Sequence, residues 1–359
     1  MTQYVIRRIF LSIPVLLGIL LVTFAIARLI PGDPCRAILG EKATQAVCDR
    51  FIQEKGLDRP IHEQFFIYMG EVLRGDFGNS IRFSLPVTRL LIERLPTTVE
   101  LSLSALMVSL VFGIPLGVIS AVKHNSAIDV LTMIWANIGV SVPVFLLGLL
   151  LAYVFSLLLK DTPFWLPPSG RISPGIPNDP FYEVWGLATP ESGLLLAAYQ
   201  FIGRLNILNA LLTANWTLLK DAIKHLILPS LALGTIPMAL IARMTRSAML
   251  DVLGQDYVRT ARAKGLRQRA VVMKHAFRNA LLPLTTVIGL SLGSLLGGAV
   301  LTETIFGLSG VGRTLFEAIT ARDYGVVQAF TVVIAIFFVV INLLVDISYS
   351  YLDPRIRLN

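Results

Sequence analysis

The stretch "DYVRTARAKGL", residues 256–266, decides how the chain is read. It carries three cations, Arg259, Arg262 and Lys264, and one glycine, Gly265, and it lies between two long apolar runs. The chain around it has 359 residues, 55% of them hydrophobic and only 15% charged. Its mean hydropathy is +0.71. Soluble domains carry about 25% charged residues, so this composition reads as an integral membrane protein.

The apolar residues cluster into six runs, near 9–30, 97–122, 130–159, 226–250, 281–302 and 326–352. About 20 such residues cross a bilayer core as a helix. Strands of a membrane barrel would alternate apolar and polar residues, and these runs do not. The expected fold is an all-α integral membrane protein with six transmembrane helices. The first run is too long for a signal peptide, so it reads as an uncleaved span. A further apolar stretch, 194–212, is interrupted by Arg204, Asn206 and Asn209. A charge at a helix centre costs about 2.5–3.5 kcal/mol on insertion scales, so this stretch reads as a surface or interfacial helix.

Basic residues give the orientation. Six spans place the N-terminus, the 123–129 turn, the 251–280 segment and the C-terminus on one side. With the adjoining span ends, these pieces hold 14 Lys/Arg, from Arg7 and Arg8 to Arg355 and Arg357, against four acids: Asp129, Asp251, Asp256 and Asp353. The 31–96 loop has nine charges of each sign and the 160–225 loop five of each. The net charge of +8 therefore belongs to one face, read as cytoplasmic, with both termini there. The basic balance reports topology in a lipid bilayer, not nucleic-acid binding.

The chain divides into residues 1–30, an N-terminal segment with the first span; 31–96, an extracytoplasmic loop; and 97–359, the core. The core carries an outer insertion at about 160–225. The two cysteines, Cys35 and Cys48, both fall in the first outer loop. An oxidising compartment permits a disulfide there, which adds about 3 kcal/mol for a loop of this size; two separate thiols are the other reading.

Several residues are candidates for a path or for packing. In the fifth run Gly289, Gly293 and Gly297 fall four apart, a smooth face for a neighbouring helix or a lining for a substrate path. Asn137 and Ser141 in the third run, Asn342 and Asp346 in the sixth, and Glu303 at the outer end of the fifth are polar residues at membrane depth. Such residues are functional candidates, or they make helix–helix hydrogen bonds.

Within 251–280 the apolar residues Leu253, Tyr257 and Ala261 recur every four, and Leu266, Ala270, Met273, Phe277 and Ala280 every three or four. This pattern predicts two short amphipathic helices with Gly265 as a left-handed stop between them. Asp251 and Asp256 near the start and cations near the end of the first helix suit its dipole. Such a bracket is either a basic collar on anionic lipid or a docking element. The glycine and the apolar ridge favour docking, because a collar needs neither.

The segment "YVRTARAKGLRQRAVVMKHAFRNALLPL", 257–284, resembles the coupling loop of ABC-importer permeases of the dipeptide/oligopeptide/nickel class. Their general motif is E-A-A, three residues, Gly, then a later Leu-Pro. Here Arg259, Thr260 and Ala261 stand at E-A-A, Gly265 matches the glycine, and Leu282-Pro283 the Leu-Pro. The missing glutamate and the 18-residue spacing from Gly265 to Pro283 are the pattern of the peptide branch. The likeness also covers the first span with "PGDP", "GDFGNSI", "LPPSGRI", "HLILPSLALG", "ETIFGLSGVGRTLFEAITARDYGVVQ" and "DPRIR". It is weakest over 173–200, which reads as an insertion.

The resemblance implies the type I importer permease fold with cytoplasmic coupling helices, in the inner membrane of a prokaryote. It implies a non-catalytic chain that binds no cofactor itself. ATP and Mg would sit on two partner ATPase subunits. The further partners would be a second permease, a paralogue that forms a heterodimer with this chain, and an extracytoplasmic substrate-binding protein. Tyr257, Arg259, Thr260, Ala261, Lys264, Gly265 and Leu266 would couple transport to ATP hydrolysis. The implied cargo is di- or oligopeptides, with nickel, glutathione or another small solute as the alternative. A stand-alone ion-coupled carrier or channel is the alternative of another class.

The rest of the chain offers no competing chemistry. It contains no G-x-x-x-x-G-K-[ST] phosphate loop. The stretch "GLSGVG", 307–312, only faintly resembles an ATPase signature and falls on the outer side. His62, His124, His225 and His275 have no metal-ligand spacing.

Overall fold

The computed structural model describes residues 2–29, 43–54, 56, 58–190 and 192–352. The described chain is helical, with one isolated antiparallel bridge, Asn79 to Pro86. Its elements are α1 (Thr2–Leu29), α2 (Gln45–Glu54), α3 (Ile61–Arg74), α4 (Val87–Val122), α5 (Ala127–Ser141) and α6 (Val144–Leu158). The insertion at about 160–225 holds α7 (Phe181–Val184), α8 (Leu194–Gly203) and α9 (Asn206–Leu212). Then follow α10 (Trp216–Leu253), α11 (Asp256–Ala263), α12 (Gln268–Gly298), α13 (Val300–Ile305), α14 (Val311–Thr320) and α15 (Tyr324–Leu352).

Five of these, α1, α4, α10, α12 and α15, are long and apolar enough to cross a membrane. The third apolar run departs from expectation. It is a bent pair, α5 and α6, turned by 99° at Val142–Pro143. Proline disfavours the helical conformation in the residue before it, and Val142 is extended at φ −99°, ψ 127°. The 194–212 stretch is also a bent pair, α8 and α9, turned by 92°. The asparagines that interrupt its hydropathy are its anchors. Asn209 is fully buried; its Oδ1 accepts from the Phe181 N–H at 2.8 Å and its Nδ2 donates to the Asp179 carbonyl at 3.0 Å.

The helix of the second span starts earlier than its apolar run. α4 is continuous from Val87, with Pro96 inside it. At 36 and 38 residues, α4 and α10 are roughly 54 and 57 Å long at 1.5 Å per residue. Both outrun a hydrocarbon core of about 30 Å.

The α4–α10 crossing is the centre of the bundle. A Cβ on Gly113, Gly117 or Gly234 would lie 2.8, 2.5 and 2.6 Å from the carbonyl oxygens of Met238, Ala242 and Ala105. Ser109 stitches the same crossing, donating to the carbonyls of Ala105 and Gly234, both at 2.7 Å. Leu101, Ala105, Leu228, Ala232 and Ile241 are buried here, with Phe306 and Leu308 closing the layer. A second apolar layer joins the start of α4 to α14 and α15 through Leu90, Val311 and Phe330. A third, at the other end, joins Ala121, Met249, Ala276 and Leu284.

Helices α1 and α15 run antiparallel beside this core. Arg8 pairs with Asp346 at 3.2 Å, while Gln328 donates to the Thr23 carbonyl at 3.4 Å. This brings the start of α1 and the end of α15 to the end of the bundle where α10 runs into α11.

Replacing Gly117 by alanine should cost about 1–3 kcal/mol, the usual penalty for overpacking, and lower the melting temperature in detergent. Gly297→Ala should not lower it, because a Cβ there meets nothing within 4 Å.

Candidate functional site

The basic stretch folds as a two-helix bracket at the end of α10. Leu253 ends α10, two residues link it to α11, and Gly265 links α11 to α12. Gly265 has φ +72°, which glycine adopts without steric cost. Its N–H donates to the Arg262 carbonyl at 2.9 Å and the Leu266 N–H donates to the Ala261 carbonyl at 3.4 Å. This pair of bonds is the Schellman closure of a helix end. The left-handed stop expected at Gly265 is therefore present.

The inward face differs from the expected stripe. Val258 and Ala261 are buried against Val271, with Val252 and Leu253 beside them. Tyr257 is instead 44% exposed, and its hydroxyl accepts a hydrogen bond from Asn279 at 2.9 Å. Ala261 is thus an internal anchor of the bracket rather than an outward contact. The outward set is Tyr257, Arg259, Thr260, Lys264, Gly265 and Leu266, all exposed. Arg259 reaches Asp256 at 3.3 Å and Thr260 donates to the Asp256 carbonyl at 3.0 Å. Tyr257 and Leu266 stand exposed among the cations Arg259 and Lys264, above the buried floor of Val258, Ala261 and Val271. Beyond it, Val271–Phe277 forms a wide π-helical turn, a feature that recurs at functional sites.

A groove of about 630 Å³ opens beside α5 in the same half of the bundle. Asp129, Met133, Asn137, Ser141 and Arg246 line it among apolar side chains. Asn137 donates to the Met133 carbonyl at 2.7 Å and accepts from Arg243 of α10 at 2.9 Å. Ser141 donates to the Asn137 carbonyl at 3.2 Å. These two candidates from the sequence share one surface.

The other candidates lie elsewhere. Gly289 and Gly293 face α15, where an added Cβ would come within 2.1 Å of Val345 and 2.5 Å of Phe338. Asn342 donates within its own helix to the Phe338 carbonyl at 3.0 Å, and Asp346 pairs with Arg8. Glu303 is fully buried; it accepts from the Thr98 hydroxyl at 2.6 Å and from the Arg313 N–H at 2.8 Å. The "GLSGVG" loop wraps this carboxylate. A Cβ on Gly310 would sit 2.2 Å from its Oε1, so the glycines there serve close packing. Cys35 lies outside the described residues; Cys48 is buried on α2, and their pairing stays an expectation.

Two ionic anchors escape a reading of the sequence alone. At the end of the bundle away from the bracket, buried Glu100 takes Arg171 at 2.6 Å and the Ile207 N–H at 2.8 Å, tying the insertion to α4. At the bracket end, buried Asp129 takes Arg246. Asp129 had one visible signal: it is the single acid of the basic 123–129 turn, three residues after the cap residue Ser126, which accepts the Asp129 N–H at 3.3 Å.

Comparison with known proteins decides the family. The description "Binding-protein-dependent transport system inner membrane component" matches residues 113–358, and its N-terminal counterpart matches residues 1–103. The chain belongs to this family. Its all-α bundle is the type I ABC-importer permease fold of that family. The chain is 45% identical over 359 residues to the dipeptide transport system permease protein DppB of Alkalihalophilus pseudofirmus, covering 99% of this chain and 100% of that one. It is 41% identical to the dipeptide transport system permease protein DppB of Escherichia coli K12, covering 99% of both chains. It is 40% identical to the oligopeptide transport system permease protein AppB of Bacillus subtilis, covering 99% of this chain and 100% of that one.

Gly265→Val should strain the bracket by about 1–2 kcal/mol, the cost of a left-handed backbone for a residue with a Cβ. Trypsin should then cut at Lys264 and Arg267 several-fold faster in the solubilised protein, while Gly265→Asn stays close to the parent rate.

Proposed function

We propose that this chain is the membrane-spanning permease subunit of an ATP-driven importer of di- and oligopeptides. The observation that carries the reading is full-length similarity to permeases of dipeptide and oligopeptide systems. The relatives' names favour peptides over nickel or another small solute. The bracket supports the coupling role: a rigid, capped two-helix projection with exposed Tyr257 and Leu266 amid cations is built to be gripped by a partner.

In this reading the chain catalyses no reaction. Two ATP-binding subunits take the brackets of two permeases, this chain and a paralogue, and hydrolyse ATP with Mg. An extracytoplasmic binding protein delivers peptide at the opposite end. The clustering of basic residues at the bracket end supports a cytoplasmic position for the bracket and both termini. The docking contacts are Tyr257, Arg259, Thr260, Lys264 and Leu266, with Gly265 setting the turn and Ala261 the floor. Asn137 and Ser141, in the groove beside α5, line part of the path. Gly289 and Gly293 pack α12 on α15.

Tyr257→Asp and Leu266→Asp should each reduce co-purification of the ATP-binding subunits about tenfold, equivalent to losing roughly 1.4 kcal/mol of docking energy, and should abolish peptide uptake. The amount of permease in the membrane should not change. Unchanged co-purification with unchanged uptake would contradict the docking assignment.

A further inference from the structure

The Asp129 carboxylate draws together three separate segments. Arg246 of α10 holds it through two parallel bonds, Nε to Oδ1 and Nη2 to Oδ2, both 2.9 Å. The Ser120 hydroxyl at the end of α4 donates to Oδ1. The Asn125 N–H in the turn donates to Oδ2 at 3.1 Å. His124 adds a ring nitrogen 3.4 Å from Oδ2. Asp129 itself is 5% exposed while the Arg246 side chain is 29% exposed, so the carboxylate is covered and the forked contact fixes its direction.

The position of this pair matters more than its strength. α5 is bounded at its far end by the 99° bend at Val142–Pro143. Near that bend it lies flush on α10, because Gly139 leaves room for Thr235; a Cβ there would be 2.2 Å from the Thr235 Cβ. At its other end the Asp129–Arg246 fork is the tie. α5 is therefore a short rod with a joint at one end and an ionic latch at the other. The 630 Å³ groove lies along it between the two. Arg246 sits two turns before the end of α10, and α10 leads through two residues into the bracket.

We propose that Asp129 and Arg246 are positioning residues for transport: their fork passes movement of the docking bracket, along α10, to the α5 wall of the groove. This rests on the importer reading above. A purely structural pair would set how much protein folds. A transmitting pair sets how much peptide moves for each ATP.

The test uses the complete complex in proteoliposomes, with a labelled dipeptide, and counts peptides taken up per ATP hydrolysed. Asp129→Asn and Arg246→Gln are each expected to lower that ratio at least fivefold. The double variant should be no worse than the poorer single variant within twofold, since the pair acts as one unit. Ratios within twofold of the parent, or losses that multiply in the double variant, would overturn the proposal. If the neutral variants fail to assemble, Arg246→Lys decides. It keeps the charge without the fork and should give an intermediate ratio; a parental ratio would overturn the proposal. A parent complex that takes up peptide without using ATP would overturn the importer reading itself and this proposal with it.

Discussion

The structure depends on one close contact. Helices α4 and α10 cross so tightly that backbone carbonyls of one helix occupy the space where side chains of the other would project. Gly113 and Gly117 on α4 and Gly234 on α10 make the crossing possible, and the Ser109 hydroxyl, which reaches the Gly234 carbonyl, holds it in register. In lipid the hydrophobic effect does little to join helices, so packing and hydrogen bonds of this kind must. With α4 and α10 fixed as one unit, the other helices have a surface to pack on. α12 lies against both, α14 and α15 cover the start of α4, and α5 and α6 fold around α10.

That unit also orders the functional surfaces. α10 carries the insertion on its first half, through Asp221, which accepts from Ser173. Its last half carries Arg243 and Arg246 beside the groove. It ends in the bracket. A single helix roughly 57 Å long at 1.5 Å per residue therefore touches everything the reading requires: the face that meets the binding protein, the wall of the path and the site gripped by the ATP-binding subunit. Its prolines, Pro229 and Pro237, lie within the continuous helix, which membrane helices tolerate where neighbouring groups re-satisfy the freed carbonyls.

Much of this is legible in the sequence. Apolar runs of bilayer length and the one-sided distribution of cations are long-range compositional signals, and they survive without coordinates. The stop at Gly265 is equally legible, because only the backbone angle decides it. The misreadings have a common cause. Val142–Pro143 breaks its run while Pro115, Pro229 and Pro283 sit inside continuous helices, and nothing local separates these cases; the neighbours do. In α11, an eight-residue helix, the 253-257-261 stripe and the buried pair Val258 and Ala261 differ by one position, and contact with Val271 chooses between them. Glycines on one helix, Gly289 and Gly293, advertise themselves by spacing. Gly113, Gly117 and Gly234 lie on two helices and show their purpose only when these meet. The Asp129–Arg246 fork joins residues 117 apart, beyond the reach of any motif.

The central claim is that the bracket is the site at which an ATP-binding subunit grips this chain. The most direct measurement places a photo-activated crosslinking residue at position 266 in the native membrane and identifies what it captures. The account predicts a protein adduct with a chain that carries a G-x-x-x-x-G-K-[ST] phosphate loop, lost when Gly265 is replaced by valine. Capture of lipid alone, with no protein adduct, would contradict it and return the bracket to the role of a basic collar on the membrane surface.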